Sequence, residues 1–399
     1  MVSVTRLTPQ QADAVRADPR PQSRSAVGRR PAAAPPARRR VPPPPRRTPV
    51  PQHRAAEGRD GAGGPTVLVA RLDSLGDVLL AGPAVRAVAR TARRVVLLAG
   101  PRGAAAGRML PGVDRVVEWC APWIDADPPP VDRAAVAALC ARVRAERPDA
   151  ALILTSFHQS PLPLALLLRL AGVPWIGAVS TDYPGSLLDL RHRVPDGIPE
   201  AERMLSLAEA AGYRLGEGDA GRLAVRRPLP DTTGLTGPGG YVAVHVGASA
   251  PARRLPLRLA VDTTAALTAA GVRVVVTASA EDKADAAAVA EAGAVDLAGR
   301  TDLPELADVL DRAAVLVAGN TGPAHLAAAV HTPVVSLFSP VVPASAWAPY
   351  GTRLRLLGDQ TQRCAHTRAR LCPVPGHPCL NSVTADEVVR AVRELMEDR

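Results

Sequence analysis

The chain has 399 residues, of which 47% are apolar, and this is enough for two packed domains rather than one. The formal charge of +10 would suit a nucleic-acid binder, but thirteen of the 48 basic residues and only four of the 38 acidic residues lie in residues 1–64. The remaining residues are nearly neutral and show no interleaving of aromatic and basic side chains. We therefore expect no nucleic-acid partner for the globular part.

Residues 1–64 are predicted to be a disordered Pro/Arg-rich arm. They hold twelve of the 41 prolines and have no sustained apolar period, so they cannot bury enough surface to offset the entropy of ordering. Two interpretations of the arm stay open. It is either a solvated tail or a basic segment attracted to anionic lipid headgroups or nucleic acid.

Cysteine content and hydropathy favour a cytoplasmic protein. Five cysteines in a chain of this length do not form a disulfide scaffold, which fits a reducing compartment. The most apolar window, residues 162–179, contains Pro163, Arg169, Gly172 and Pro174 and is too broken to span a bilayer. Any membrane contact is therefore expected to be peripheral, at the inner face of the plasma membrane.

The first predicted domain covers residues 65–230. A strand over 66–70, a helix over 78–92 and a strand over 95–98 form a βαβ unit, which predicts a parallel sheet. The pattern continues with helices and strands in alternation, listed here in chain order: helix 134–146, strand 150–154, helix 162–171, strand 175–178 and helix 199–211.

A stretch rich in Pro and Gly, residues 213–240, interrupts the alternation and marks a domain boundary. The second predicted domain covers residues 231–383, and a final helix over 385–397 opens with a capping box of Thr384 and Glu387 in the segment 384–399. The elements predicted within the second domain are strand 241–246, helix 257–270, strand 272–278, helix 283–292, a short apolar segment 295–297, helix 303–312, strand 315–318, helix 323–330 and strand 333–338.

This alternation predicts an α/β protein of two Rossmann-like domains that face a central cleft. Sites in such sheets gather at the carboxyl ends of the strands, so the loops after residues 70, 154, 246, 278 and 318 should line the cleft.

Residues 314–331 are typical of an anion-binding site. A buried apolar strand is followed by Gly319 and Gly322, which we expect to let the backbone turn sharply, and by Pro323, which suits a first helical position. A helix that begins here points free backbone N–H groups and its positive dipole end at the space above the strand, where a diphosphate would fit. Thr321 and His325 should face the same space.

Two further loops carry candidate groups. In the loop 71–77, Asp77 is interpreted either as a cap of the following helix or as a general base in the cleft. In the loop 245–256, Arg253 and Arg254 lie between Pro251 and Pro256 and form a plausible phosphate clamp opposite Thr321.

Several alternative sites are excluded by spacing. The chain has no GxGxxG, no GxxxxGK[ST] and no HExxH motif, so it has neither a dinucleotide fingerprint nor a P-loop nor that zinc motif. The gaps between Cys364, Cys372, His377 and Cys379 fit no familiar zinc site, and we predict no bound metal and no cofactor.

Taken together, these segments resemble glycosyltransferase family 9, the ADP-heptose:lipopolysaccharide heptosyltransferase family. The matching segments are 71–77, 245–256, 297–301 with 303–310, 319–325, 332–338, 347–351 and 378–380. The resemblance implies a GT-B fold, an acceptor bound by the first domain and a nucleoside-diphosphate sugar bound by the second. It also implies inversion at the anomeric carbon without an obligatory metal.

Carried over by position, the resemblance implies that Asp77 is the catalytic base. Arg253 stands where the family usually has Lys, a residue that neutralises the departing nucleoside diphosphate, and Asn320 stands where many members have Asp. The residues assigned to the donor are Arg253, Arg254, Ser249, Glu281, Asn320, Thr321, Gly322 and His325. The residues assigned to the acceptor side are Ser74, Gly76 and His158.

The predicted function is transfer of a sugar, heptose or a related one, from a nucleoside diphosphate such as ADP to a hydroxyl group. The acceptor is a cell-envelope glycan, as in lipopolysaccharide biosynthesis, or a small molecule. Two alternatives remain: a nucleotide-sugar epimerase or hydrolase, which would act without an acceptor, and an inactive protein that only binds the nucleotide sugar.

Overall fold

The computed structural model describes residues 63–397. The disorder and the membrane contact predicted for the N-terminal arm therefore lie outside the described residues, apart from Gly63 and Gly64.

Two sheets of six strands each organise the chain, and every strand pair in them is parallel. The strands of the first sheet are β1 (Thr66–Arg71), β2 (Arg94–Ala99), β3 (Arg115–Glu118), β4 (Ala150–Ile153), β5 (Ile176–Val179) and β6 (Leu190–His192). The strands of the second sheet are β7 (Val242–His245), β8 (Val274–Thr277), β9 (Val295–Asp296), β10 (Val315–Gly319), β11 (Val334–Leu337) and β12 (Leu354–Leu357).

Both sheets have the same strand order. The first runs β3-β2-β1-β4-β5-β6 and the second β12-β11-β10-β7-β8-β9, so each is the doubly wound order 3-2-1-4-5-6 of a Rossmann fold. The predicted α/β class with two Rossmann-like halves is confirmed. The domain boundaries at 230 and 383 stay predictions, since the last strand of the first sheet ends at His192 and β7 begins at Val242.

Helices cover both sheets, and two 3₁₀ turns lie at Pro251–Arg253 and Ala280–Asp282. The helices are α1 (Leu75–Leu80), α2 (Gly82–Ala89), α3 (Pro101–Met109), α4 (Arg133–Glu146), α5 (Leu162–Leu170), α6 (Glu200–Ala210), α7 (Thr233–Thr236), α8 (Leu257–Ala269), α9 (Lys283–Glu291), α10 (Leu303–Asp311), α11 (Gly322–Ala329), α12 (Ala344–Trp347), α13 (Pro378–Asn381) and α14 (Ala385–Glu397). Within residues 63–397, no helix combines the length and apolarity that crossing a lipid bilayer requires.

The strands that the sequence predicted best are the central ones. Every residue of β1, β4, β7 and β10 is buried, as expected for strands that are covered on both faces. The edge strands β3, β6 and β12 were not predicted from the sequence. Only one residue of β3 is buried and none of β12, so these segments lack the apolar run that identifies a strand.

The helix predicted over residues 78–92 is wrong in its bounds. It is two helices, α1 and α2, that meet at Ala81. Helix α1 begins at Leu75 because the Asp77 carboxylate accepts from the backbone N–H of Ser74, one arm of a capping box. Pro83 has no N–H to donate to the preceding turn, which interrupts the ladder of hydrogen bonds.

The C-terminal helix is confirmed. Thr384 and Glu387 form the predicted capping box, with Thr384 N–H donating to Glu387 Oε2 at 2.8 Å and Glu387 N–H donating to Thr384 Oγ1 at 3.3 Å. Helix α14 packs on α8 and on the second sheet through buried side chains that include Val388, Val392 and Leu395. It therefore belongs to the core of the second sheet.

Glycines at the strand ends allow neighbouring loops to lie close to the sheets. A Cβ on Gly100, after β2, would lie 2.2 Å from the carbonyl oxygen of Leu72. A Cβ on Gly319, the last residue of β10, would lie 2.2 Å from the carbonyl oxygen of Arg253. The backbone turns from strand to helix between Gly319, the last residue of β10, and Gly322, the first residue of α11, although neither glycine has positive φ. They are needed for close packing, since they have no side chain.

We expect Gly319→Ala to destabilise the second sheet by roughly 1–3 kcal/mol, because the added methyl group meets a backbone carbonyl that has no rotamer to change. Gly234→Ala is the matched control, since its Cβ would meet nothing within 4 Å. Urea unfolding midpoints of the two variants measure the difference. Equal midpoints would show that β10 relaxes without cost.

Candidate functional site

A cavity of about 560 Å³ lies at the carboxyl ends of the strands of both sheets. The loops after β1 and β4 line it from one side and the loops after β7 and β10 from the other. The volume suits a small-molecule ligand. The loop after β8, which we expected in the cleft, contributes none of the lining residues.

Most of the predicted site residues come together in this cavity. Its lining includes Ser74, Gly76, Asp77 and His158 from the first half and Ser249, Arg253, Asn320, Thr321, Gly322 and His325 from the second. Arg254 and Glu281 are not among the lining residues. Their assigned roles, like those of the others, remain predictions.

Asp77 lines the cavity and caps α1 as well, so the two interpretations of this residue are compatible. Its Oδ2 accepts from Ser74 Oγ at 2.6 Å and from Ser74 N–H at 3.3 Å. Its Oδ1 accepts from Arg71 Nη2 at 2.9 Å and from Trp347 Nε1 at 3.4 Å. The carboxylate is therefore held from both halves of the molecule.

Arg71, the last residue of β1, is fully buried beneath Asp77. Besides Asp77, its guanidinium donates to Ser156 Oγ at 2.7 Å and to the carbonyl oxygen of Leu154 at 2.9 Å. These bonds orient a rigid fork of donors at the strand end. Sequence reasoning assigned Arg71 no role, although a charged residue directly after the buried run 67–70 is the kind of signal that could have found it.

Two more carboxylates surround the same guanidinium. Asp73 Oδ2 lies 3.0 Å from Arg71 Nε, and Glu200 Oε2 lies 3.5 Å from Arg71 Nη1. Burial raises the pKa of Asp73 and of Glu200, and the charge of Arg71 opposes the rise. One buried cation thus serves three acidic side chains.

Burial alone would also raise the pKa of Asp77. The charge of Arg71 and the hydrogen bonds from Ser74 and Arg71 outweigh burial and lower this pKa to about 2. Asp77 is therefore a carboxylate at neutral pH, able to accept a proton.

The two halves meet at glycines. A Cβ on Gly76 in α1 would lie 2.6 Å from His325 Cδ2, and a Cβ on Gly322 in α11 would lie 2.9 Å from Leu75 Cδ2. Helices α1 and α11 consequently pack against each other at their N-terminal ends. This packing is why two glycines from distant segments lie in one cavity.

The start of α11 leaves polar groups without partners. Thr321 is the N-cap residue but its side chain makes no capping hydrogen bond. Within residues 63–397, the side-chain nitrogen and oxygen of Asn320 and the Nδ1 of His325 are buried and have no hydrogen-bond partner. Burial lowers the pKa of His325 to about 4, so the ring is neutral at pH 7. Unpaired buried polar groups at a helix N-terminus can bind an anionic ligand.

The two adjacent arginines in the loop after β7, Arg253 and Arg254, point to different surroundings. Arg253 lines the cavity, whereas Arg254 forms ion pairs with Asp282 Oδ1 at 2.8 Å and Asp285 Oδ2 at 3.0 Å. The two adjacent side chains do not converge on the cavity as the predicted clamp requires. The pairing with Asp282 ties Arg254 to the loop after β8.

Aromatic side chains close one side of the cavity. The ring of Phe157 lies 5.3 Å from that of Trp347 and 5.3 Å from that of His158, measured between centroids.

The cavity lining also includes Arg102, Arg368 and Arg370, to which the sequence analysis assigned no role. The last two lie in an irregular segment with no periodic signal, so only the tertiary structure could place them.

Residues 63–397 contain no cluster of side chains suited to bind a metal ion. No group of three or more His, Cys, Asp or Glu residues there could hold an ion, and all five cysteines are free. The prediction that no metal takes part stays a prediction.

A family model described as glycosyltransferase family 9 (heptosyltransferase) matches residues 136–377, more than half of the chain. The chain belongs to glycosyltransferase family 9. It is thus a glycosyltransferase of the heptosyltransferase family, which decides against the epimerase alternative. No curated protein sequence matches the chain.

Solved structures are similar in fold. A family 9 glycosyl transferase from Veillonella parvula DSM 2008 is 16% identical with a TM-score of 0.70, covering 84% of this chain and 98% of its own. The E. coli ADP-heptose lps heptosyltransferase II is 18% identical with a TM-score of 0.62, covering 84% and 99%. E. coli heptosyltransferase WaaC with ADP-2-deoxy-2-fluoro heptose is 21% identical with a TM-score of 0.62, covering 82% and 99%. The fold is GT-B.

We expect the protein to lose stability as the pH falls from 7.5 to 5. Burial lowers the pKa of His245 and of His325 to about 4, while an unfolded histidine titrates near ~6.5. Between these values the unfolded chain binds more protons, so stability falls as pH falls, by about 2 kcal/mol for each histidine. Urea midpoints at the two pH values measure the loss.

His245→Gln is the diagnostic variant for this pH dependence. It should have a smaller difference between the two pH values than the wild-type protein, even though the raised pKa values of Asp73 and Glu200 act in the opposite sense. An unchanged difference would mean that His245 does not titrate in this range.

Proposed function

We propose that the protein transfers a glycosyl group from a nucleoside-diphosphate sugar to an acceptor hydroxyl group with inversion at the anomeric carbon. Asp77 is the catalytic base, and Arg253, Thr321, Gly322 and His325 hold the diphosphate. The observation that carries the proposal is the shared cavity: an ionised carboxylate from the first sheet and an anion-binding helix start from the second line the same space.

The second half has the chemistry that a diphosphate needs. Thr321 and Gly322, at the start of helix α11, line the cavity, and Asn320 and His325 add buried polar atoms that lack partners within residues 63–397. Arg253 adds a positive charge. As the bond to the sugar breaks, negative charge grows on the leaving nucleoside diphosphate, and these groups stabilise it.

The first half supplies the base. The acceptor hydroxyl oxygen attacks the anomeric carbon while its proton passes to Asp77, and the bond from that carbon to the diphosphate breaks. Attack from the face opposite the leaving group inverts the configuration. With a pKa of about 2, Asp77 is a weak base, so the proton moves late, when the new bond has made the hydroxyl more acidic.

Arg71 is a positioning residue in this mechanism. It contacts Asp77 from the buried side and keeps Oδ1 fixed, and Ser74 does the same for Oδ2. Because its other donors bind Ser156 and the Leu154 carbonyl, the guanidinium cannot move with the carboxylate. The base is thereby held rigidly at the strand end.

ADP-heptose is the donor that we propose to test first. The E. coli relatives are an ADP-heptose heptosyltransferase and WaaC, solved with an ADP-heptose analogue. The proposed acceptor is a hydroxyl group of a cell-envelope glycan, as in lipopolysaccharide biosynthesis, or of a small molecule.

Asp77→Asn should abolish transfer and leave donor binding nearly intact. The amide has the same shape but cannot accept the proton, so we expect kcat to fall about 10²–10⁴-fold. Product formation by mass spectrometry and nucleotide titration calorimetry measure the two quantities.

Asp125→Asn is the matched control, because Asp125 also lines the cavity but pairs with Arg102 at 3.3 Å. Transfer by Asp77→Asn at the rate of this control would eliminate the assignment of the base. Nucleotide release that is independent of any acceptor would instead indicate a hydrolase.

A thermal-shift screen against ADP-, GDP-, UDP- and dTDP-sugars tests the donor. A ligand at ~100 times its dissociation constant should stabilise the folded state by roughly 2.7 kcal/mol. We expect the ADP sugar to raise the melting temperature most. A larger shift with another sugar nucleotide would show that the donor contains a different nucleotide base. No shift with any of the four would contradict the proposed function.

A further inference from the structure

The segment Cys364–Arg370, called here the 364–370 loop, is packed against the turn that carries Arg253. Ala252 N–H donates to the carbonyl oxygen of Arg370 at 2.9 Å, and Arg368 N–H donates to that of Val341 at 2.7 Å. Cys364 is buried in one small cluster with Ala252 and Val341. The loop and the turn thus form one packed unit at the cavity.

The backbone of this loop is in an unusual conformation at two places. His366 has φ of 63° and Arg368 has φ of 60°, the left-handed region that residues other than glycine seldom occupy. The hydrogen bond from His366 N–H to the Pro340 carbonyl, at 2.8 Å, and that of Arg368 keep this path. The consequence is that Arg368 and Arg370 both line the cavity.

Three arginines therefore converge on one space: Arg253, Arg368 and Arg370. No Asp or Glu of residues 63–397 forms an ion pair with any of them, and Arg370 finds only the carbonyl oxygen of Ser249 at 3.3 Å. Arg254, by contrast, has two acidic partners. Asp73 and Asp77 line the same cavity and oppose part of this charge from a distance, but neither pairs directly with any of the three arginines.

These charges act on one another. Burial lowers the pKa of Arg253, Asp77 opposes the change, and the charges of Arg370 and Arg368 lower it further. Arrangements of like charge in a cleft are costly unless an anion enters. A diphosphate has two negative charges and several oxygen atoms, which matches several guanidinium groups better than one.

We propose that Arg368 and Arg370 bind the phosphoryl oxygens of the donor together with Arg253. Arg370 then takes the role predicted for Arg254, from a segment more than a hundred residues later in the chain. This inference rests on the proposed function, because it extends the same diphosphate site. It makes the 364–370 loop a part of the donor site.

Inorganic pyrophosphate is the probe, since it has the diphosphate chemistry without a base or a sugar. Its dissociation constant is measured by titration calorimetry at fixed pH and ionic strength for the wild-type protein, Arg253→Met, Arg368→Met and Arg370→Met. Each variant loses charge-assisted hydrogen bonds, so we expect each to bind about tenfold or more weakly.

Arg363→Met is the matched control. Arg363 lies next to the loop and is exposed, but it does not line the cavity. This variant should bind pyrophosphate as the wild-type protein does. Arg363→Met, Arg368→Met and Arg370→Met should not melt below the wild-type protein, because these three side chains are exposed.

Steady-state kinetics separates donor from acceptor. Arg370→Met and Arg368→Met should raise the KM of the nucleotide sugar and leave the KM of the acceptor unchanged. Wild-type affinity for pyrophosphate in both variants, or a rise in acceptor KM alone, would overturn the proposal. Absence of pyrophosphate binding to the wild-type protein would overturn it too.

The two proposals fail in different ways. If Asp77→Asn still transfers sugar while the arginine variants lose pyrophosphate, the catalytic assignment is wrong and the diphosphate site stands. If Asp77→Asn is inactive while Arg368→Met and Arg370→Met bind pyrophosphate normally, only the role of the loop is wrong.

Discussion

The approach of α1 to α11 is the constraint on which the site depends. A Cβ on Gly76 would require His325 to move, and one on Gly322 would require Leu75 to move, so glycine at both positions lets the two helices approach this closely. Each helix begins at the carboxyl end of a central strand, β1 or β10. Their contact therefore places the Asp77 carboxylate of one half and the start of α11 in the other half in a single cavity.

Arginine has two opposite uses around this cavity. Arg71 is buried among three carboxylates, and its charge lowers the pKa of Asp77, although its Nε has no hydrogen-bond partner within residues 63–397. Arg253, Arg368 and Arg370 line the same cavity and form no ion pair within residues 63–397. The first arrangement holds Asp77, the proposed base, in place, and the second leaves guanidinium groups for the proposed anionic ligand. The same residue type thus serves both sides of the proposed site.

Much of the fold was predictable because local patterns determine it. Strands covered on both faces require continuous apolar runs, so β1, β4, β7 and β10 were found. Helix α14 was found because Thr384 and Glu387 form a capping box, which depends only on residues close in sequence. The edge strands β3, β6 and β12 were missed because only two of their residues are fully buried, so they need no such run. The helix break at Ala81 was missed because Pro83 is tolerated near a helix start and did not by itself require two helices.

The sequence by itself determined that the loops of Asp77, Arg253 and the segment 319–325 line one cavity, since each follows a recognisable strand and parallel strands bring such loops to one edge. It also determined the family, through the spacing of those segments. Only the tertiary structure decided that Arg254 pairs with Asp282 and Asp285 while Arg370 lines the cavity, and that Gly319 is packed closely against the backbone of Arg253. The reason is physical: charge pairing and close packing depend on which distant segments meet in space, and no local pattern records that.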